Sequence, residues 1–185
     1  MVELIAPTTC FLSKYIQLNS QVPYQNQPNN SSSEWIVSNE QAFETIPEDI
    51  EVLSIRQSAY FRRTQFSIAI FQHLRTLILC NDTLPLCTSF SIDGLPALQH
   101  VELGQYCCTN QHVGNNPKIE GCCRIANCPV LHSIEFGSFA CQAYFHLEFH
   151  QLPSLKQLTI GTNCFQFIPR VVFRGKFSKF NKCIE

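Results

Sequence analysis

Two cysteine doublets, Cys107-Cys108 and Cys122-Cys123, bracket a histidine at position 112. Four thiols and an imidazole could complete a tetrahedral soft-ligand site for zinc. The spacing argues against it. No C-x2-C knuckle is present, and adjacent residues of an extended strand point to opposite faces, so both members of a doublet rarely reach one ion. A Cys107–Cys122 disulfide closing the same segment is the competing covalent reading, conditional on an oxidising compartment. A second set, His146, Glu148 and His150, alternates along the chain. On a strand these three share one face, where they could hold a surface metal or titrate together, or could simply be solvated. Cysteine catalysis needs a thiolate, a paired base and an orienting group. Nothing local links such residues, and there is no nucleophile elbow, phosphate-cradling glycine loop or helical HExxH. No catalytic residue, metal ligand or cofactor is therefore assigned, and the expectation is a protein that is not an enzyme. The alternatives are a zinc-stabilised binding module built on the cysteine-rich segment and a thiol- or metal-dependent enzyme.

Basic residues gather near the end of the sequence, with Arg170, Arg174, Lys176, Lys179 and Lys182 among Phe173, Phe177 and Phe180. Such interleaving can grip phosphates and stack on bases, or lie on anionic lipid; it also makes an ordinary solvated end. The formal net charge of −1 gives no bulk attraction to nucleic acid, and no nucleic-acid partner is expected. No apolar run approaches the roughly 20 residues that span a bilayer. The first residues lack a basic leader and a continuous apolar stretch, which points to a cytoplasmic chain.

The element that must position all of these is a repeated unit. LPALQHVELGQYCC (95–108), CPVLHSIEFGSFAC (128–141) and LPSLKQLTIGTNCF (152–165) are copies of one pattern. Its anchors are Ile50, Leu74, Leu98, Leu131 and Leu155, separated by 24 residues except for one gap of 33. A fixed period of this length decides architecture before any residue is read for chemistry. Each unit carries an LxxLxI segment and an FxI segment, both alternating with period 2 as half-buried strands do. Gly104, Gly137 and Gly161 follow the first strand, where glycine permits a turn with positive φ. Arg56 and Cys80 hold that place in the first two units, so either the turn does not demand φ > 0 or those two coils turn differently. Pro96, Pro129 and Pro153 follow the second strand and stop pairing.

The register also accounts for cysteines. Cys108, Cys123, Cys128 and Cys141 occupy columns filled elsewhere by Phe, Leu or Ile, and Cys107 and Cys164 share the place before a core column. Reduced cysteine behaves as a small hydrophobe, so all six are expected in the core. Cys10, Cys80, Cys87, Cys122 and Cys183 have no such account. A single unit cannot stand alone. It buries about six side chains at roughly 1.5–3 kcal/mol each, against about 1.5 kcal/mol for each of some 24 residues ordered. Stacking of units supplies the remainder.

The segments LPSLKQLTIGTNCF, LPALQHVELG and VLHSIEFG resemble the leucine-rich-repeat family, in its divergent LpxLxxLxIGxxxF form with a second short strand in place of a helix. The resemblance covers about residues 50–173, though the family's usual asparagine after the strand is missing. It implies a mainly β solenoid of short parallel strands, two per coil, with little helix, and a protein partner bound on strand-borne side chains. The outward positions of the LxxLxI strands are then the candidate partner face: Ile78, His100, Glu102, Ser133, Glu135, Gln157 and Thr159. Residues 1–33, rich in Gln, Asn, Ser and Pro, are expected to be poorly ordered. Residues 34–173 form the solenoid, with a capping segment that holds a helix over 39–44 N-capped by Ser38, and an inserted loop within 105–123. Residues 174–185 are a basic tail. With no polar cap evident at that end, an open last coil could dock a second copy.

Overall fold

Alternation of apolar and polar residues makes strands of both segment types, and the strands find partners one unit away. The computed structural model describes residues 2–5, 34–56, 63–109, 121–166, 168, 170–177 and 181–184. Among these the chain is mainly β: β1 (Val2–Ile5), β2 (Glu34–Val37), β3 (Val52–Ile55), β4 (Gln65–Ser67), β5 (Thr76–Leu79), β6 (Ser89–Asp93), β7 (His100–Leu103), β8 (Gly121–Ala126), β9 (Ser133–Phe136), β10 (Tyr144–Leu152), β11 (Gln157–Ile160), β12 (Arg170–Phe177) and β13 (Asn181–Ile184), with one short helix, α1 (Glu40–Glu44). No helix is long and apolar enough to cross a membrane.

The strands form two sheets. One has the order β1-β12-β10-β8-β6-β4, the other β13-β11-β9-β7-β5-β3-β2. The LxxLxI segments lie in the second sheet and the FxI segments in the first. All pairings are parallel except that of β1 with β12. Partners stand 24 residues apart along the ladder, as in Leu53↔Leu77 and Leu77↔Val101, and 33 apart across the longer gap, as in Val101↔Ile134. Period-2 alternation then sends every second side chain inward. Leu77 and Leu79 of β5 are buried while Thr76 and Ile78 are half-buried, and β7 repeats the pattern. Leu74, Leu98, Leu131 and Leu155 are completely buried. A single hydrophobic cluster contains the inward residues of both sheets. Phenylalanines stack along it, with ring centroids of Phe66 and Phe90 at 5.3 Å and of Phe149 and Phe173 at 5.2 Å.

The turn after the LxxLxI strands does not demand a positive φ. None of Gly104, Gly137 and Gly161 has a positive φ; among the described glycines only Gly94 and Gly175 do. What Gly137 supplies is room. A Cβ there would lie 2.7 Å from the carbonyl carbon of Gly104 and 2.8 Å from the nitrogen of Gln105. At Gly161 it would lie 2.7 Å from the nitrogen of Ser138. Successive turns pack backbone on backbone, and hydrogen bonds Gly137 N–H to Leu103 O (2.6 Å) and Gly161 N–H to Phe136 O (2.8 Å) hold them together. The left-handed positions fall on other residues, in columns. Asp82, Tyr106, Phe139 and Asn163 have φ of 57, 57, 62 and 58°, and Leu84, Cys108, Cys141 and Phe165 have φ of 53, 53, 50 and 50°.

The ends also depart from expectation. α1 is capped by Asn39, whose Oδ1 accepts from Ala42 N at 2.8 Å, and not by Ser38. Both residue types cap helices well, so the one-residue difference is beyond what composition resolves. Trp35 Nε1–H donates to the Ala42 carbonyl and ties the helix to β2. Arg63 pairs with Glu44, and its guanidinium lies 4.5 Å from the Phe43 ring centre. At the other end the pattern continues past β12. β13 joins β11 with Leu158↔Lys182 and Ile160↔Ile184. The edge of β12 is covered by β1, through Val2↔Phe173 and Ile5↔Arg170. Residues 6–33, and residues 110–120 with His112 and most of the insertion, lie outside the described residues.

Candidate partner-binding face

The seven residues of the candidate face fall on four neighbouring strands of the seven-stranded sheet. In β5, β7, β9 and β11 the parallel register aligns Ile78, Glu102, Glu135 and Thr159 in one row, and Thr76, His100, Ser133 and Gln157 in the next. Neighbours within a row are spaced by about 4.8 Å, the strand separation. Glu135 and Gln157 are exposed, and the other five of the seven are half-buried. The rows run on through Ser54 and Ile36, and through Val52 and Glu34. Their acids are Glu34, Glu102 and Glu135, and neither row contains Lys or Arg.

A small polar network sits at the centre. His100 Nδ1 and Ser133 Oγ are 2.7 Å apart, and His100 Nε2 is 3.7 Å from Glu102 Oε2. The interaction with His100 holds the Glu102 carboxyl below the usual carboxylate range, against the opposing effect of partial burial. Glu102 and Glu135 face each other across adjacent strands. Gln157 Nε2 donates to Thr159 Oγ1 at 3.4 Å. The row beside the network carries Glu51, Arg75, Gln99, His132 and Lys156, with Arg75 3.5 Å from Glu51.

The other sequence candidates separate in space. His146, Glu148 and His150 share one side of β10, but Glu148 faces Arg124 of β8 at 3.9 Å. Arg124 also pairs with Asp93, which accepts from Asn127 Nδ2 at 2.7 Å. This cross-strand ion cluster was recoverable from the register, since Ser91, Arg124 and Glu148 occupy one column. Among the described residues no group of three or more His, Cys, Asp or Glu is arranged to hold a metal.

The cysteine doublets likewise diverge. The Cys107 thiol donates to Cys80 O at 2.9 Å and meets Thr83 Oγ1 at 3.2 Å. Cys122 is half-buried in the other sheet, near Glu148 and Arg124. The nine described cysteines are all free, so the Cys107–Cys122 bridge is not made. Adjacent Cys107 and Cys108 are both completely buried. They lie in a turn with a left-handed residue at Cys108, so strand alternation does not apply to them. Cys123, Cys128 and Cys141 are buried as the register requires, whereas Cys164 is only half-buried. No described residue stacks beyond it in its column. Burial pushes Cys107 and Cys164 up to about 12 and Cys128 to about 11, as befits core thiols. Cys87, which has no place in the register, is also completely buried.

No family model, curated protein or solved structure matches this chain.

Proposed function

We propose that the chain is a non-catalytic protein-interaction scaffold, a leucine-rich-repeat-like solenoid that binds a protein partner on the outward face of β5, β7, β9 and β11. The observation that carries this reading is the in-register row Ile78–Glu102–Glu135–Thr159 beside the His100–Ser133 pair. Strand-borne side chains are held at fixed spacing by the ladder, so little conformational entropy is lost when a partner docks on them. The absence of Lys and Arg from both rows, with two glutamates side by side, suits a partner surface bearing basic side chains. Site-specific photo-crosslinking tests the reading. A benzophenone amino acid in place of Glu135 should capture a discrete partner from an extract of the source cells, and the same group at Ser91 of the opposite sheet should not. Equal capture from both positions would refute this face.

A further inference from the structure

One strand stands outside the repeat and yet completes a sheet. β1 lies on the outer edge of β12, and theirs is the one antiparallel pairing among the described strands. β2, the next strand in the chain, lies at the far end of the ladder, on the outer edge of β3. The two sheets have six and seven strands, so at about 4.8 Å per step the two ends are about 24–29 Å apart. Residues 6–33 join them. A connection of that length reaches at most about 90–100 Å when extended, so it spans the ladder with length to spare. The same reserve brings β1 within range of β12 in a neighbouring copy.

β12 is matched to this strand in two ways. Val2 and Leu4 stand opposite Phe173 and Val171, the positions of β12 that pack against the core. Glu3 stands opposite Val172, a register position diagonal to Arg170 and Arg174, at the roughly 7–8 Å separation across which long side chains interact. β12 carries Arg170, Arg174 and Lys176 and no acid, and β1 carries one acid and no base. A second β12 brought antiparallel to this edge would set base against base, so the edge suits a β1 strand, from its own chain or another. The attachment is slight. β1 has four paired residues, and among the described elements it packs on β12 alone. Strands so placed belong to the low end of local stability and open without unfolding the core. The opened edge presents a row of unpaired backbone groups, a template for the next strand that arrives.

We propose that the outer edge of β12 is a docking site for β1 of a second copy, so that two chains exchange these strands and form a two-fold dimer. Each chain supplies both the site and its occupant, so reciprocal exchange covers both β12 edges and the assembly closes at two. Every backbone pairing of the closed monomer is regained in the dimer. The balance is then set by concentration. A second copy competes with the chain's own tethered strand once it approaches the effective concentration that tethering supplies, on the order of 1 mM.

Photo-crosslinking of a mixed-isotope sample tests this. A full chain labelled with heavy nitrogen carries a benzophenone amino acid in place of Ile5, which stands opposite Arg170. It is mixed with a roughly tenfold excess of unlabelled parent, equilibrated at total concentrations from about 1 µM to about 1 mM, on either side of the exchange balance, and illuminated. Trypsin then releases the labelled peptide that ends at Lys14 and the β12 peptides that end at Arg170 and Arg174. The mass of the attached β12 peptide tells whose strand was captured. Near 1 µM the link is expected to be labelled to labelled, and near about 1 mM labelled-to-unlabelled links reach comparable yield while light scattering shows the mass rising toward two chains. Glu3→Pro/Leu4→Pro in the labelled chain should remove both links. Adjacent residues of a strand turn their N–H groups opposite ways, so one of the two prolines takes a donor from the β12 side. Labelled-to-labelled links alone at every concentration overturn exchange. Capture outside residues 157–174, or links that survive the two prolines, overturn the docking site itself.

Discussion

Replacing Gly137 with alanine separates two explanations of a recurring turn glycine by the sign of its effect. Where a glycine serves only as a flexible joint with ordinary φ, Gly→Ala stabilises by about 0.4–1 kcal/mol, because the unfolded chain loses freedom. Gly137 has no positive φ, so backbone conformation alone forecasts that gain. Space forecasts the opposite. The new methyl would stand 2.7 and 2.8 Å from backbone atoms of Gly104 and Gln105, and backbone cannot rotate aside as a side chain can. Restoring ordinary contact needs a shift of about half an ångström or more between successive turns, which strains the 2.6 Å bond from Gly137 N–H to Leu103 O. Overpacking of this kind costs about 1–3 kcal/mol. The midpoints of these two ranges leave a net loss of about 1.3 kcal/mol. For a chain of this size that lowers Tm by about 3–5 °C, at about 2–4 °C per kcal/mol. Urea unfolding followed by far-ultraviolet circular dichroism, on Gly137→Ala beside the parent, reads the difference. A variant as stable as the parent, or more so, would refute the close packing of turns. Gly94→Ala is the companion: its φ of 73° and open surroundings predict a loss of about 1–2 kcal/mol from conformation alone.

Four other outcomes follow from the same structure. Leu158→Ala should cost about 2–5 kcal/mol in urea unfolding, because it opens a void in the core beside β9, while exposed Glu135→Ala should change stability by less than about 0.5 kcal/mol. Tyr144→Phe removes the hydroxyl bonded to Cys87 O and should cost about 1–3 kcal/mol by stranding that buried carbonyl, again by urea unfolding. Asn39→Ala should cost about 0.5–2 kcal/mol through loss of the α1 cap, seen as faster hydrogen exchange at Ala42. Glu102 has a lowered folded-state pKa, so its contribution is present above the ordinary carboxylate range and is lost as pH falls through that lowered value; carboxyl NMR titration should show the low midpoint, and His100→Ala should return it toward normal.

The architecture was the most legible part of the sequence, for a physical reason. A ladder with a fixed step repeats its demands, so Leu53, Leu77, Val101, Ile134 and Leu158 each announce the same inward site. Residues that satisfy a demand once were less visible. Asn39 and Ser38 are both good caps, and only coordinates choose between them. Cys87 lies outside the register, so its burial beside Tyr144 had no periodic signal. β13 was obscured because Lys182 stands where earlier units carry Leu, Val or Ile, and β1 because it pairs from outside the period and antiparallel. The turn glycines illustrate a deeper ambiguity: glycine is both small and conformationally free, and a sequence does not say which property is in use. The left-handed sites were hidden for the converse reason, since Tyr106, Phe139 and Leu84 are residue types that seldom adopt φ > 0. On the candidate face, the rows could be drawn from the register, whereas the His100–Ser133 bond depends on side-chain rotamers that periodicity leaves open.

The proposed binding function requires that a partner read the outward rows of β5, β7, β9 and β11. The decisive measurement is quantitative affinity capture by the parent, by a Glu102→Lys/Glu135→Lys double variant and by a Glu148→Lys variant on the opposite sheet, each shown by circular dichroism to be folded. A partner retained by the parent and by Glu148→Lys, and lost from the double variant, is the predicted result. Retention unchanged by reversing both face glutamates, or abolished only by Glu148→Lys, would contradict it.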